Sequence, residues 1–297
     1  MTNEIIIPII ILTGMGLLFA VILSIAYKKL KVYEDPRIDV VEEMLPKANC
    51  GACGFPGCRA FAEMIVTQRV NPGKCTVSTP EGIERIASII GVVASQEEKV
   101  VARLLCAGGK NEAHNIAEYK GGLGTCRGEA LVAGGPKQCT WGCLGLADCE
   151  RACDFDAIHM NKNGLPVVDV VNCIACGDCV DICPKDLFVL MPIGQKLLVQ
   201  CKSHLEGDEA EAKCSVACTA CGKCVADASP GLIEIINNLA VIHYELNALA
   251  SVDATKRCPT DAIVWMEDSK QFELSQKTEL QIGHVESSFD LENVYYQ

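Results

Sequence analysis

Aromatic residues make up only 5% of the 297 positions. That is too little material for large cores, and with 25 Gly and 12 Pro it points to two or three small, loop-rich modules. Basic residues are also short: 26 Lys and Arg face 38 Asp and Glu, a formal charge of −12. No basic stripe is present, which excludes a general nucleic-acid binder. There is no G-x-x-x-x-G-K-S/T phosphate loop, and Gly121-Gly122-Leu123-Gly124 does not lead from a strand into a helix as a dinucleotide loop does. The five histidines (His114, His159, His204, His243 and His284) are scattered. No nucleophile–base pair stands out, and Trp141 beside Cys143 reads as packing. Bond-making chemistry therefore lacks its usual residues.

Cysteine is what the chain has in excess, with 20 copies. The clearest run is Cys173-Ile-Ala-Cys176-Gly-Asp-Cys179-Val-Asp-Ile-Cys183-Pro184. This C-x2-C-x2-C-x3-C-P spacing wraps a cubane iron–sulfur cluster with its first three thiolates and sends the fourth to a second cluster. A disulfide scaffold needs a secreted protein, and gaps of two residues suit bridges poorly. Structural zinc remains the alternative for any four-cysteine set.

Residues 5–26 carry no charge and are long enough to cross a bilayer as a helix. Glu4 precedes the segment and Lys28, Lys29 and Lys31 come after it. That is the wrong flank for a signal peptide, and the positive-inside rule puts the rest of the chain in the cytoplasm. Thr13, Gly14 and Gly16 would let a neighbouring helix approach closely. A reducing compartment also keeps thiols available for metal. The expected organisation is an anchor at 1–27, a four-cysteine domain at 35–95, a two-cluster module at 100–195, a one-cluster module at 197–267 and a polar tail at 268–297.

In the 35–95 domain, Cys50, Cys53, Cys58 and Cys75 stand as C-x2-C-x4-C-x16-C, with a helical pattern over 59–70. The interleaved glycines let backbone N–H groups approach cluster sulfurs. Residues 99–105 read as a strand after a polar linker at 95–98.

Downstream, Cys143-Leu-Gly-Leu146-Ala-Asp-Cys149-Glu-Arg-Ala-Cys153 aligns on the Cys173 run with Leu146 in place of the middle cysteine. Cys139 is the nearby substitute. The flanks repeat as well, and the pair resembles the bacterial two-cluster ferredoxin, whose halves exchange their last cysteine. Carried over, one cluster takes Cys139, Cys143, Cys149 and Cys183, and the other takes Cys173, Cys176, Cys179 and Cys153. A third copy, Cys218-Thr-Ala-Cys221-Gly-Lys-Cys224, has Ala228 where the exchanged cysteine would be, and Cys258-Pro-Thr-Asp far beyond it. It looks like a ferredoxin that has lost one cluster and keeps Cys218, Cys221, Cys224 and Cys258 for the other. Residues 239–245 alternate like a strand or hairpin arm filling the vacated half. Four cysteines remain, Cys106, Cys126, Cys201 and Cys214. Cys214 stands four before Cys218, as Cys139 does before Cys143, and Cys126 and Cys201 stand thirteen before Cys139 and Cys214. Ligands of a fifth cluster and buried thiols both stay open.

The order of anchor, CGACGFPGC module and ferredoxin-like modules resembles the B subunit of the Rnf complex, the membrane-bound ion-translocating ferredoxin:NAD oxidoreductase, over residues 1–267. The resemblance implies an α+β fold with a single transmembrane helix, a small Fe-S domain and two-cluster-ferredoxin-like modules. It implies 4Fe-4S clusters, four of them and three at the least, with a fifth open. It further implies soluble ferredoxin as donor, membrane subunits of a translocase as partners, and the bacterial cytoplasmic membrane as location, with the bulk of the chain on the cytoplasmic side. Arg151, Lys185 and Lys223 are candidate basic spots for the acidic donor. An electron-transfer subunit of another membrane oxidoreductase, such as a hydrogenase or a corrinoid activator, shares the same runs, and a non-redox metal-binding protein is the reading from another class.

Overall fold

A computed structural model describes residues 2–30, 34–95, 98–119 and 124–266. The polar tail at 268–297, and Gly121 to Leu123 of the glycine run, lie outside the described residues. The chain divides into two units, 1–96 and 97–297.

The first unit opens with α1 (Thr2–Leu30). Its stretch Ile11–Lys29 has mean hydropathy 1.9 and has no residue buried in the protein. Leu12, Leu17 and Leu23 are about two-thirds exposed, an arrangement water penalises and a bilayer would not. It is the one helix among the described residues long and apolar enough to cross a membrane. Three short helices come next: α2 (Arg37–Met44), α3 (Cys58–Val66) and α4 (Pro80–Ile90). Their apolar faces meet in one core in which Val41, Phe61, Ile65 and Ile86 are essentially fully buried. α4 shows why it forms where it does. The Thr79 hydroxyl accepts the Gly82 N–H at 3.2 Å, Pro80 fits the first turn, and Gly91 ends the helix at φ 78°. Ile83, Ile86, Ala87 and Ile90 supply the 3.6-residue stripe. α3 is shorter than the 59–70 pattern suggested. It stops because Gln68 turns left-handed at φ 54° while its N–H bonds to Ile65 O. Arg59 on α3 is ion-paired to Glu34, Asp39 and Glu42, exposed contacts that orient more than they stabilise.

The second unit lays down one pattern twice. β1 (Val100–Leu104) is followed by α5 (Cys126–Ala130), α6 (Asp148–Arg151), β2 (Ile158–Met160), β3 (Pro166–Val168), α7 (Asp178–Ile182) and β4 (Phe188–Pro192). Then come β5 (Leu197–Val199), α8 (Gly207–Lys213), α9 (Lys223–Asp227), β6 (Ile233–Ile236), β7 (Leu239–Ile242) and β8 (Ile263–Trp265). In each half the first and last strands pair antiparallel, β1 with β4 and β5 with β8, and an inner hairpin lies between them, β2–β3 or β6–β7. The β6–β7 hairpin turns on Asn237 and Asn238, both at positive φ, as a tight two-residue turn requires. The strand expected at 99–105 is β1, and the arm expected at 239–245 ends as β7 at Ile242, where the chain coils into a 3-10 turn over Tyr244–Leu249. Each half has its own core, around Leu104, Leu165 and Leu187 in the first and Leu197, Leu232 and Ile233 in the second. Cysteines are part of both cores.

Candidate metal centres

The three cysteine runs share one backbone path. Two residues after the first cysteine the chain turns left-handed at Gly145, Ala175 and Ala220, and two further on it does so again at Ala147, Gly177 and Gly222. Three residues after each late cysteine comes a left-handed Asp: Asp156 after Cys153, Asp186 after Cys183 and Asp261 after Cys258. Asp tolerates that region better than most residues. The irregular run therefore keeps the loop shape although Leu146 has replaced a cysteine.

These loops, the cysteine loop of the first unit and segments arriving from elsewhere line five partly open cavities, each with about 330–340 Å3 of atom-free space. Each is lined by four cysteines. Cys50, Cys53, Cys58 and Cys75 share one in the first unit. In the second unit Cys153 joins Cys173, Cys176 and Cys179, and Cys258 joins Cys218, Cys221 and Cys224. Those three sets are the ones expected, Cys153 and Cys258 having been placed in them by the resemblance to ferredoxins. The irregular run differs: Cys143, Cys149 and Cys183 share a cavity with Cys126, not with Cys139. Cys139 lines a separate cavity with Cys106, Cys201 and Cys214.

The substitution of Cys126 for Cys139 has a local cause. Cys126 opens α5, which Thr125 caps by accepting the Gly128 N–H at 3.0 Å. The buried Asp148 carboxylate holds the helix start by accepting the Arg127 N–H at 3.2 Å. So placed, Cys126 Sγ lies against the backbone of Asp148, as Cys176 Sγ lies against that of Asp178 in the regular run. Cys126 thus fills the post that Leu146 leaves. The only advance signal was its position thirteen before Cys139, which did not say which cavity it would reach.

The donor sets fit a cubane better than a single ion. Among the described residues no group of three or more Cys, His, Asp or Glu converges closely enough to hold one metal ion; the sulfurs stand around a space instead. Backbone N–H groups are aimed at them. Ala157 donates to Cys153 Sγ at 3.4 Å and Leu187 to Cys183 Sγ at 3.5 Å, the same device in both repeats, and Ala102 on β1 donates to Cys173 Sγ at 3.5 Å. Such bonds stabilise negative charge on sulfur and raise a cluster's potential. Burial pushes the Cys143, Cys149 and Cys179 thiols up to about 12, and Cys224 to about 11. At neutral pH these groups ionise only against a metal, so loading them releases protons.

The proposed basic spots are unequal. Lys185 Nζ is tied to Gly134 O at 2.6 Å and Thr140 O at 2.7 Å, and Arg151 is bound to Asp148 and to Leu146 O. Lys223 is exposed. Trp141 packs edge-on against His204.

In the first unit, the Asn49 side chain accepts the Cys58 N–H at 2.8 Å and so closes the loop onto the start of α3. Gly57 leaves room for it, since a Cβ there would stand 3.0 Å from Asn49 Oδ1. Asn49→Ala should cost about 1 kcal/mol, the ordinary net worth of a hydrogen bond. In a chelator titration followed by iron release, this variant should surrender its first unit's iron earlier than the parent chain. Superimposable release curves would contradict the capping role.

Residues 45–77 match a family model described as "Putative Fe-S cluster". The chain also has relatives along most of its length. It is 40% identical over 263 residues to the B subunit of the Na(+)-translocating ferredoxin:NAD(+) oxidoreductase complex of Acetobacterium woodii, covering 89% of this chain and 78% of the relative. It is 36% identical to the B subunit of the proton-translocating ferredoxin:NAD(+) oxidoreductase complex of Clostridium ljungdahlii, covering 88% of this chain and 92% of the relative. It is likewise 36% identical to the B subunit of the ion-translocating oxidoreductase complex of Methanosarcina acetivorans, covering 89% and 99%.

Proposed function

The chain belongs to the B-subunit family of the ion-translocating ferredoxin:NAD(+) oxidoreductase complexes, and from that footing we propose that it is the membrane-anchored relay that takes electrons from reduced soluble ferredoxin and delivers them to the membrane subunits. The observation that carries this is the gathering of its cysteines, in fours, around cavities of one size. When bound, 4Fe-4S clusters supply one-electron carriers whose potential the protein sets.

Four sets would hold them: Cys50, Cys53, Cys58 and Cys75; Cys126, Cys143, Cys149 and Cys183; Cys153, Cys173, Cys176 and Cys179; and Cys218, Cys221, Cys224 and Cys258. Cys153 and Cys183 each serve the other repeat's loop, as in the two-cluster ferredoxins that this half of the chain resembles. The chain's own part is positioning. In the two regular runs the left-handed loop residues present three sulfurs together and the late cysteine closes the set, and in every set an apolar lining limits water around the buried sulfurs. Cys221 alone among the twenty cysteines is exposed, and Lys223 stands beside it, which makes this set the favoured point of approach for an acidic donor.

α1 would serve as a single-pass anchor in the bacterial cytoplasmic membrane. Lys28 and Lys29 in its last turn favour a cytoplasmic position for the residues beyond them.

The test is iron and sulfide analysis with low-temperature EPR on anaerobically purified, dithionite-reduced chain. Several interacting cubane signals are expected. Fewer than about eight iron per chain, two cubanes' worth, or a silent spectrum would favour a non-redox metal protein and sink the relay.

A further inference from the structure

Cys106, Cys139, Cys201 and Cys214 belong to none of those sets, yet they line one cavity. We propose that they hold a fifth 4Fe-4S cluster, seated between the two halves of the second unit and bridging the Cys143 and Cys218 centres. The inference rests on the relay reading above and extends it.

The four residues come as two equivalent pairs. Cys106 follows the end of β1, and Cys201 follows the end of β5, by the same two residues. Cys139 stands four before Cys143, and Cys214 four before Cys218. Each half thus gives one cysteine from behind its first strand and one from ahead of its first cluster loop. The backbone contacts repeat the equivalence: the Cys143 N–H donates to Cys106 Sγ at 3.4 Å, and the backbone of Cys218 lies against Cys201 Sγ. The cavity therefore lies against a ligand of the centre on either side. No two of its cysteines share a run, which is why spacing alone does not disclose it.

Two features go beyond what four packed thiols would need. Gly108 is pressed against the cavity, and a Cβ there would stand 2.8 Å from Cys214 Sγ and 3.9 Å from Cys106 Sγ. Lys137 is only 6% exposed, with its ammonium donating to Gly108 O at 2.7 Å and to Gly109 O at 3.4 Å. None of the ion pairs among the described residues includes it. Its ammonium sits instead on the carbonyl of Gly108, which lines the cavity. A buried cation needs a negative partner. Four neutral thiols supply none, whereas thiolates around a cluster do.

Iron and acid-labile sulfide should be counted in the anaerobically reconstituted full chain and in a Cys201→Ser/Cys214→Ser double variant. About twenty iron is expected in the first and about sixteen in the second, at four per cubane, with one reducible signal lost. An equal count in the two proteins, whether sixteen or twenty, overturns the proposal. If the double variant loses all its iron, the parent count decides. About twenty supports a fifth cluster, because the other sixteen cysteines hold four cubanes, and about sixteen overturns it. A parent chain with no reducible centre would instead strike down the relay reading itself.

Discussion

Cys126→Ser should remove about four iron atoms, one cubane's worth, and extinguish the signal of the irregular-run centre, while Cys139→Ser should leave that signal in place. The expectation follows from which sulfurs share a cavity. Cys126 lies with Cys143, Cys149 and Cys183, and Cys139 does not. It follows as well from the Asp148 backbone, which lies against Cys126 Sγ as the Asp178 backbone lies against Cys176 Sγ. Cys183→Ser should reproduce the Cys126→Ser spectrum and spare the Cys173 centre, since Cys183 and Cys126 close the same set. EPR on the three variants, each with its iron count, decides the matter. A Cys139→Ser protein that loses the irregular-run signal while Cys126→Ser keeps it would restore the assignment that proximity in sequence suggests.

Cys139 and Cys126 show where the sequence stops speaking. Cysteines on one tight loop announce themselves because the loop's turns fix which sulfurs converge, and so Cys173, Cys176 and Cys179 were legible at sight. The exchange of Cys153 and the distant Cys258 were legible through the repeat. A ligand on a separate helix has no such constraint. Cys126 and Cys201 share a thirteen-residue offset yet reach different cavities, because α5 is pinned to Asp148 while Cys201 follows β5. Nothing in the local spacing encodes that difference. The fold was legible to a similar depth. The long apolar helix and β1 stood out by composition, but the pairing of β1 with β4 and of β5 with β8 joins segments too far apart for periodicity to connect. α4 is another case: its Thr79–Pro80 start, Ile83–Ile86–Ile90 stripe and Gly91 stop are all written locally, and a cysteine-led reading passes over them.

Stripping the iron should abolish the cooperative thermal transition of residues 98–266 almost entirely. The strands there are three to five residues long and lie in two-stranded sheets, units that are marginal at best in water without further support. The support is the metal. Cys106, Cys143, Cys149, Cys173 and Cys179 are members of the main core of the first half, and Cys218 and Cys224 of the second. Without clusters these positions surround cavities rather than packed atoms, and the connecting loops keep their left-handed turns with nothing to organise around. Folding and metal binding are then one equilibrium, as in other small metal-dependent domains. Circular dichroism melts and limited proteolysis of loaded and chelated protein would report it. A chelated chain that melts cooperatively within a few degrees of the loaded one, with an unchanged cleavage pattern, would show that the protein core alone carries the fold.

Whether the chain accepts electrons from ferredoxin is decided by anaerobic mixing of the iron-loaded full chain with chemically reduced ferredoxin, free of other reductant, followed by freezing for EPR. Signals of reduced cubanes should rise on this chain as the ferredoxin signal falls. A chain that dithionite reduces but ferredoxin leaves oxidised would contradict the relay.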